Sequence, residues 1–331
     1  MKNKWFLLLV LVISILLPFV IHNDYFIHVI IMAGINIMLV LSLNIISGFT
    51  GQVSLGHAAF FGIGAYTSAL LSLNGVPVWL AMIISIPFAA VFGILIGYPV
   101  LRLKGHFFAI ATLGFGEIVH LVLNNWIDLT RGPMGLSGIL KPEPILFIDF
   151  SQKTHYYFLM LLFVLLAIYI SYRMLNSKTG RALLAIRTDE IVASSMGIDV
   201  TYYKIFAFTW SAAIAGLAGA FYAHYVLFLS PETFKLATSI NILLMLLIGG
   251  IGSITGSVLG GLFITVLSEY LRAYAEYQML IYGFVIVLVV IFAPKGLVGL
   301  LGSVYTQLKR LSLKSEGNAR ERGSVIDTNH S

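Results

Sequence analysis

Tyr25-Phe-Ile-His-Val-Ile-Ile-Met-Ala-Gly-Ile-Asn-Ile-Met-Leu-Val-Leu-Ser-Leu-Asn-Ile-Ile46 contains no Asp, Glu, Lys or Arg, and it runs into Gly48-Phe-Thr-Gly51-Gln-Val-Ser-Leu-Gly56. As a helix the first stretch covers about 30 Å, the thickness of a bilayer's hydrocarbon core. The second stretch is too rich in glycine and hydroxyl side chains to continue that helix at low cost. A long apolar segment followed by a glycine-rich break is the pattern that decides the fold. Related apolar runs occur at 5–21, 58–73, 77–101, 107–123, 155–174, 204–226, 238–250, 257–271 and 278–293. The expected architecture is therefore all-α: a polytopic membrane helical bundle of about ten transmembrane helices, with broken or re-entrant Gly-rich segments.

Composition agrees. Of 331 residues, 59% are hydrophobic and 10% charged, with a mean hydropathy of +0.96. A water-facing surface needs roughly a quarter to a third charged side chains, which this chain cannot supply. The formal charge of +6 is spread over short breaks between apolar runs. It reads as a topology signal rather than as a nucleic-acid surface. With the N-terminus placed in the cytoplasm and the runs alternating, fifteen of the twenty Lys and Arg fall on the inside. An even number of spans with both ends cytoplasmic follows. The opening, Lys2, Lys4 and then Trp5–Ile21, has the outline of a signal peptide. It ends Pro18-Phe-Val-Ile-His22-Asn without a small-residue cleavage pattern, so an uncleaved first span is expected. The transmembrane unit is taken as 1–302. Residues 303–331 form a polar, basic tail expected to be disordered and cytoplasmic.

The chain has no cysteine, which removes thiolate catalysis, cysteine metal sites and disulfides. It has no G-x-x-x-x-G-K-[ST], no H-E-x-x-H and no G-x-S-x-G nucleophile elbow that stands out. No catalytic residue, metal or cofactor is assigned. Any ATP drive has to come from another subunit.

Three groups of residues carry functional expectations. The first is glycine-rich: Gly48, Gly51, Ser54, Gly56, His57, Gly62 and Gly64 in one half, and Gly249, Gly250, Gly252, Gly256 and Gly260 in the other. Paired interruptions in two halves point to a transport path. The halves do not align into a clear repeat. His57 is expected to make a structural hydrogen bond. Gly93/Gly97, and Ala212 with Gly216, Gly219 and Ala223, read instead as helix-packing positions.

The second group is Thr112, Glu117 and His120. An ionised carboxylate in mid-membrane costs about 2.5–3.5 kcal/mol, so it should face protein or water. Ala109, Thr112, Gly116, His120 and Asn124 form a small, polar stripe beside it that should point into the bundle. An interhelical hydrogen-bond anchor is the simpler role, and a proton relay is the alternative. Glu269, near an outer end, is expected to snorkel.

The third group lies in the inner loop 176–203. Gly180, Arg181, Ala185 and Arg187 belong to a basic amphipathic stretch. Thr188 is expected to cap a second short helix with Asp189 and Glu190 in its first turn, and Met196-Gly197 to end it. The two helices could lie on lipid headgroups or dock a cytoplasmic subunit. Their mixed charge favours protein.

The segments Ser47-Gly-Phe-Thr-Gly-Gln-Val-Ser-Leu-Gly-His-Ala-Ala-Phe-Phe-Gly-Ile-Gly-Ala-Tyr66 and Leu101-Arg-Leu-Lys-Gly-His-Phe-Phe-Ala-Ile-Ala-Thr-Leu-Gly-Phe-Gly-Glu-Ile118 resemble signatures of the branched-chain amino acid ABC importer permeases, closest to the LivM type. So do Arg131-Gly-Pro-Met-Gly-Leu-Ser-Gly138, Gly180–Ile198 and Gly249–Gly260. Arg131 and Met134 stand where that family often has smaller or polar residues. The resemblance implies an importer of leucine, isoleucine and valine working by alternating access in the cytoplasmic (inner) membrane. It also implies a LivH-like second permease, two ATP-binding subunits and an extracytoplasmic substrate-binding protein as partners. Under it, loop 180–198 couples to the ATPases and the glycine segments line or gate the path. A urea, amide or other amino-acid permease looks similar. A proton-coupled secondary transporter using Glu117 and His120 is the alternative of a different class, and an intramembrane enzyme is disfavoured.

Overall fold

The computed structural model describes residues 14, 16–18, 23–103, 105–144, 149–150, 152–274, 277, 280–284, 287–288 and 296–299. Most of the first apolar run, much of the tenth and all of the 303–331 tail lie outside the described residues.

Each of the other eight apolar runs becomes one helix. In chain order they are α1 (Asp24–Leu43, prolonged by a π-helical turn Asn44–Gly48), α2 (His57–Leu73), α3 (Val78–Val100) and α4 (His106–Asn125). A single turn, α5 (Ile127–Thr130), precedes α6 (Lys153–Leu175). Two short helices follow, α7 (Lys178–Thr188) and α8 (Glu190–Ser195), then α9 (Val200–Val226), α10 (Leu236–Gly249) and α11 (Ile254–Leu271). Among the described residues, six helices are long and apolar enough to cross a membrane: α1 with its π turn, α3, α4, α6, α9 and α11. The helices α2 and α10 are apolar but shorter.

The bundle is organised around α9, which packs on α3, α2 and α1, while α1 also carries α11 and α6. Lipid tails give no hydrophobic drive for helices to associate, so close backbone approach and dispersion do that work. Glycine makes the approach possible. A Cβ on Gly64 of α2 would lie 2.1 Å from the carbonyl oxygen of Gly216, and one on Gly219 would lie 2.0 Å from that of Phe61. Gly93 and Gly97 of α3 meet Ala212 and Phe208 in the same way. The packing roles expected for these positions hold. Beneath the small residues sits an aromatic cluster, with Phe60 5.3 Å from both Phe115 and Phe208.

The long loop after α4 is ordered by local chemistry. Leu136 and Ser137 pair antiparallel with Phe228 and Leu229. The Glu143 carboxylate accepts the Val78 backbone N–H at 2.9 Å, placing negative charge at the start of α3. Arg131 ends α5 in the left-handed region, at φ 59°.

Two local expectations need correction, and two gain detail. The glycines of the two clusters do not all break helix: Gly62 and Gly64 lie inside α2, and Gly256 and Gly260 inside α11. The breaks are confined to 49–56 and 250–253. The helical glycines serve contact instead, since a Cβ on Gly260 would lie 2.0 Å from the Met245 carbonyl oxygen of α10. Thr188 does not cap α8. Its hydroxyl donates back to Leu184 O, and Asp189 accepts from Ile191 and Val192 N–H at 2.8 and 3.1 Å. Asp189 wins because it adopts the extended backbone a cap requires, whereas Thr188 is still helical. Glu269, two residues from the end of α11, accepts from Tyr25 Oη at 2.6 Å and Arg272 Nη1 at 3.2 Å. Finally, Thr112 and His120 do point into the bundle, but Glu117 sits at the edge of their stripe with a half-exposed side chain.

Candidate functional site

Both helix breaks converge with the short-helix loop at one place. Near its end α1 widens into the π turn, where Phe49 N–H donates to Asn44 O at 3.1 Å. Such single-turn widenings recur at functional sites. Here it turns the buried Asn44 side chain toward the second break. Asn44 Oδ1 accepts Gly252 N–H at 2.8 Å, and Asn44 Nδ2 donates to Ser253 O at 3.3 Å. Gly250 and Gly252 have φ of 120° and 84°, which only glycine adopts readily. A Cβ on Gly48 would lie 2.8 Å from Gly252 N, so the two breaks touch through their backbones.

The third element arrives from α7. Arg187 Nη1 donates to Gly48 O at 2.5 Å, and a Cβ on Gly252 would come equally close to that same nitrogen. Gly51, at φ 77°, lies against the Arg187 stem. The Arg187 side chain thus bonds the last turn of α1 through its guanidinium, and lies against the 49–56 segment through its stem and against Gly252 through its head.

The extended segment is then laid along α4. Leu55 N–H donates to Thr112 Oγ1 at 3.0 Å, and Gly56 is pressed against the Thr112 carbonyl. His57 Nε2 lies 2.6 Å from Ser42 Oγ, the structural hydrogen bond expected of it. Gln52 Oε1, Ser54 Oγ and His57 Nδ1 are buried and meet no hydrogen-bond partner among the described residues. Three such atoms in one short segment make it a place where water or a shift of backbone would find ready partners.

The loop carrying Arg187 is stiff. Gly180 permits the tight turn from α6, since a Cβ there would lie 2.2 Å from Leu175 O. Gly197, at φ 80°, ends α8, with Ile198 N–H returning to Ala193 O at 3.1 Å. Glu190, in the first turn of α8, pairs with Lys204, whose side chain is 2% exposed at the start of α9. That pair fixes α8 to the central helix. On the far side Ile191, Val192 and Met196 are exposed, an apolar patch with no partner among the described residues. Arg181 is also exposed, while Ala185 is half-buried beneath them.

Of the expected residues, the structure gathers Gly48, Gly51, Arg187 and Gly252 into one node. Gly62, Gly64, Gly256 and Gly260 are absorbed into helix contacts. Glu117 and His120 lie apart on α4, with His120 Nδ1 3.6 Å from Glu117 Oε1. Two participants escaped sequence reasoning. Asn44 carried a signal, as an amide in an otherwise apolar span. Lys204 carried none, because its partner is fourteen residues away across a loop.

Helices packed through glycine in an apolar bundle, with broken ends joined to a rigid polar loop, define a membrane-transport permease. The chain belongs to the family described as the permease component of the branched-chain amino acid transport system, whose profile matches residues 25–290. It is 38% identical to the high-affinity branched-chain amino acid transport permease LivM of Salmonella typhimurium LT2, over 96% of this chain and 79% of that one. It is 38% identical to LivM of Escherichia coli K12, over 89% and 75%. Similarity extends to the LivH permease of Salmonella typhimurium, at 25% identity over 79% of this chain and 90% of that one. No solved structure matches the chain.

Proposed function

We propose that this permease is one half of the membrane channel of an ATP-driven importer for leucine, isoleucine and valine. It sits in the cell membrane with both ends cytoplasmic and pairs with a second, LivH-like permease. Two ATP-binding subunits dock on α7 and α8, and an extracytoplasmic binding protein delivers the amino acid. The observation that supports this most is the node: Arg187 of α7 donates to Gly48 O at the first break, and Asn44, in the same turn of α1, holds Gly252 and Ser253 of the second. A subunit that moves α8 through Ile191, Val192 and Met196 would pull on Gly48 and, through Asn44, on the 250–253 loop. In alternating access a bistable element must be biased from outside, and a loop joined to two broken helices meets that need.

The test is reconstitution of the chain with its second permease, ATPases and binding protein in proteoliposomes. Leucine, isoleucine and valine uptake should require ATP inside the ATPase-accessible compartment and be insensitive to collapse of the proton gradient. Uptake by the chain without ATPases, or driven by the proton gradient, would refute the reading. Uptake of urea or amides in preference to branched-chain amino acids would refute the substrate.

A further inference from the structure

One face of α4 is left uncovered by the described residues, and that face is not made for lipid. Phe107, Ile110, Gly114, Glu117 and Leu121 follow one another at three- and four-residue steps, so they form a single stripe along the helix. Ile110 is 64% exposed, the neighbouring Ile118 61%, and the Glu117 side chain 48%. The exposed faces of α3 differ: Ile83, Val91, Ile94 and Leu95 are apolar throughout, as an acyl-chain boundary requires. A carboxylate near the middle of a spanning helix is instead held against protein or water.

Two further observations point to protein. Gly114 has nothing within 4 Å of the position a Cβ would take, so no contact inside this chain calls for a glycine there. Glycine in a helix interior weakens it, and in membranes it is found where another helix comes close. His120 is 9% exposed, and among the described residues neither ring nitrogen has a hydrogen-bond partner, Nδ1 lying 3.6 Å from Glu117 Oε1. The imidazole lies on the inner side, so Glu117 presents the unmet acceptor capacity at the exposed stripe.

We propose that the outward stripe of α4 is the surface on which the second, LivH-like permease packs, with Gly114 at the point of closest helix approach and Glu117 enclosed in the seam. This rests on the paired-permease reading above. A different chain suits the stripe better than a second copy. Two copies would set Glu117 against Glu117, and like charges facing each other in a low-dielectric seam repel strongly. A different partner can bring a hydrogen-bond donor instead. The two kinds of permease to which this chain is similar, LivM and LivH, occur side by side in Salmonella typhimurium and Escherichia coli.

The test uses the assembled complex in membranes. A photoreactive phenylalanine analogue replaces Ile118 on the stripe, and in a second protein Leu95 on α3. Irradiation should give an adduct of the mass of this chain plus the second permease from position 118, at least tenfold more than from position 95. An adduct within the chain, with a second copy, or with lipid alone would overturn the proposal. Gly114→Leu gives an independent readout. It meets open space in this chain, so the protein should insert and accumulate normally while recovering the second permease at one tenth of the wild-type yield or less. Unchanged recovery would overturn the proposal. If the second permease does not co-purify with the wild-type chain, the paired reading itself falls. If it co-purifies but crosslinks from another helix, only the assignment of α4 falls.

Discussion

Arg187→Ala removes the side chain that links α7 to the helix breaks, and the structure gives the size of the expected effect. The lost interaction is a hydrogen bond from a guanidinium to the Gly48 carbonyl. Hydrogen bonds to charged groups contribute about 1.5–3 kcal/mol. Arg187 is exposed, so the lower end applies, and at about 1.4 kcal/mol per factor of ten the coupling between α7 and the first break should weaken roughly tenfold. Asn44 keeps its own bonds to Gly252 and Ser253, so the two breaks remain joined to each other. The exposed apolar patch on α8 is untouched, so the ATPases should still bind. In proteoliposomes the variant should hydrolyse ATP with a leucine transport rate reduced about tenfold, so that ATP consumed per leucine rises. Arg187→Lys should restore part of the coupling, because a single carbonyl acceptor needs only one donor. Wild-type stoichiometry in Arg187→Ala would refute the node as a transmission element. Loss of ATPase binding would refute it differently, by making Arg187 a docking residue.

Other outcomes follow from the same geometry. Glu190→Gln leaves the buried Lys204 charge without its partner, which should destabilise the chain by about 3–5 kcal/mol. The double variant Glu190→Gln/Lys204→Met should recover most of that loss, and thermal unfolding of the purified complex measures both. Gly64→Ala drives a methyl group into the Gly216 backbone and should destabilise the α2–α9 contact by about 1–3 kcal/mol, read as reduced accumulation and lower melting temperature. Deleting 188–197 removes the apolar patch but no spanning helix. The chain should insert normally and fail to retain ATPase subunits on purification, and normal retention would refute the docking role of α8.

The helices themselves were legible because a helix in an apolar solvent must be apolar over most of its length, whether it is long enough to cross a membrane or, like α2 and α10, shorter. Eight runs read from hydropathy became eight helices. What the glycines do was legible only in part. Gly48 and Gly256 look alike in sequence, each in a glycine-rich stretch with Ser or Thr nearby. The first abuts a real break, while the second lies in α11, next to Gly249 of α10. Helix propensity alone cannot distinguish the two, because in an apolar solvent a helix keeps its hydrogen bonds whatever glycine costs it. Thr188 and Asp189 were a similar case, adjacent candidates for one cap, decided by backbone geometry that local composition does not encode. The node depended on contacts between residues more than a hundred positions apart, Arg187 with Gly48 and Asn44 with Gly252.

Those long-range contacts also explain why the glycine breaks and the polar loop belong to one device. A break in a membrane helix leaves backbone groups that must be satisfied within the protein. At the first break the donor to Gly48 O is a side chain from the loop after α6, and at the second the partners of Gly252 and Ser253 come from α1. Neither break can open without these bonds being released or carried along. Movement of α7 therefore necessarily acts on both breaks, whereas movement of α9, held by continuous glycine and aromatic packing, need not. The permease is divided accordingly: a rigid centre of α9 with α2 and α3, and a responsive end where three segments share one arginine and one asparagine.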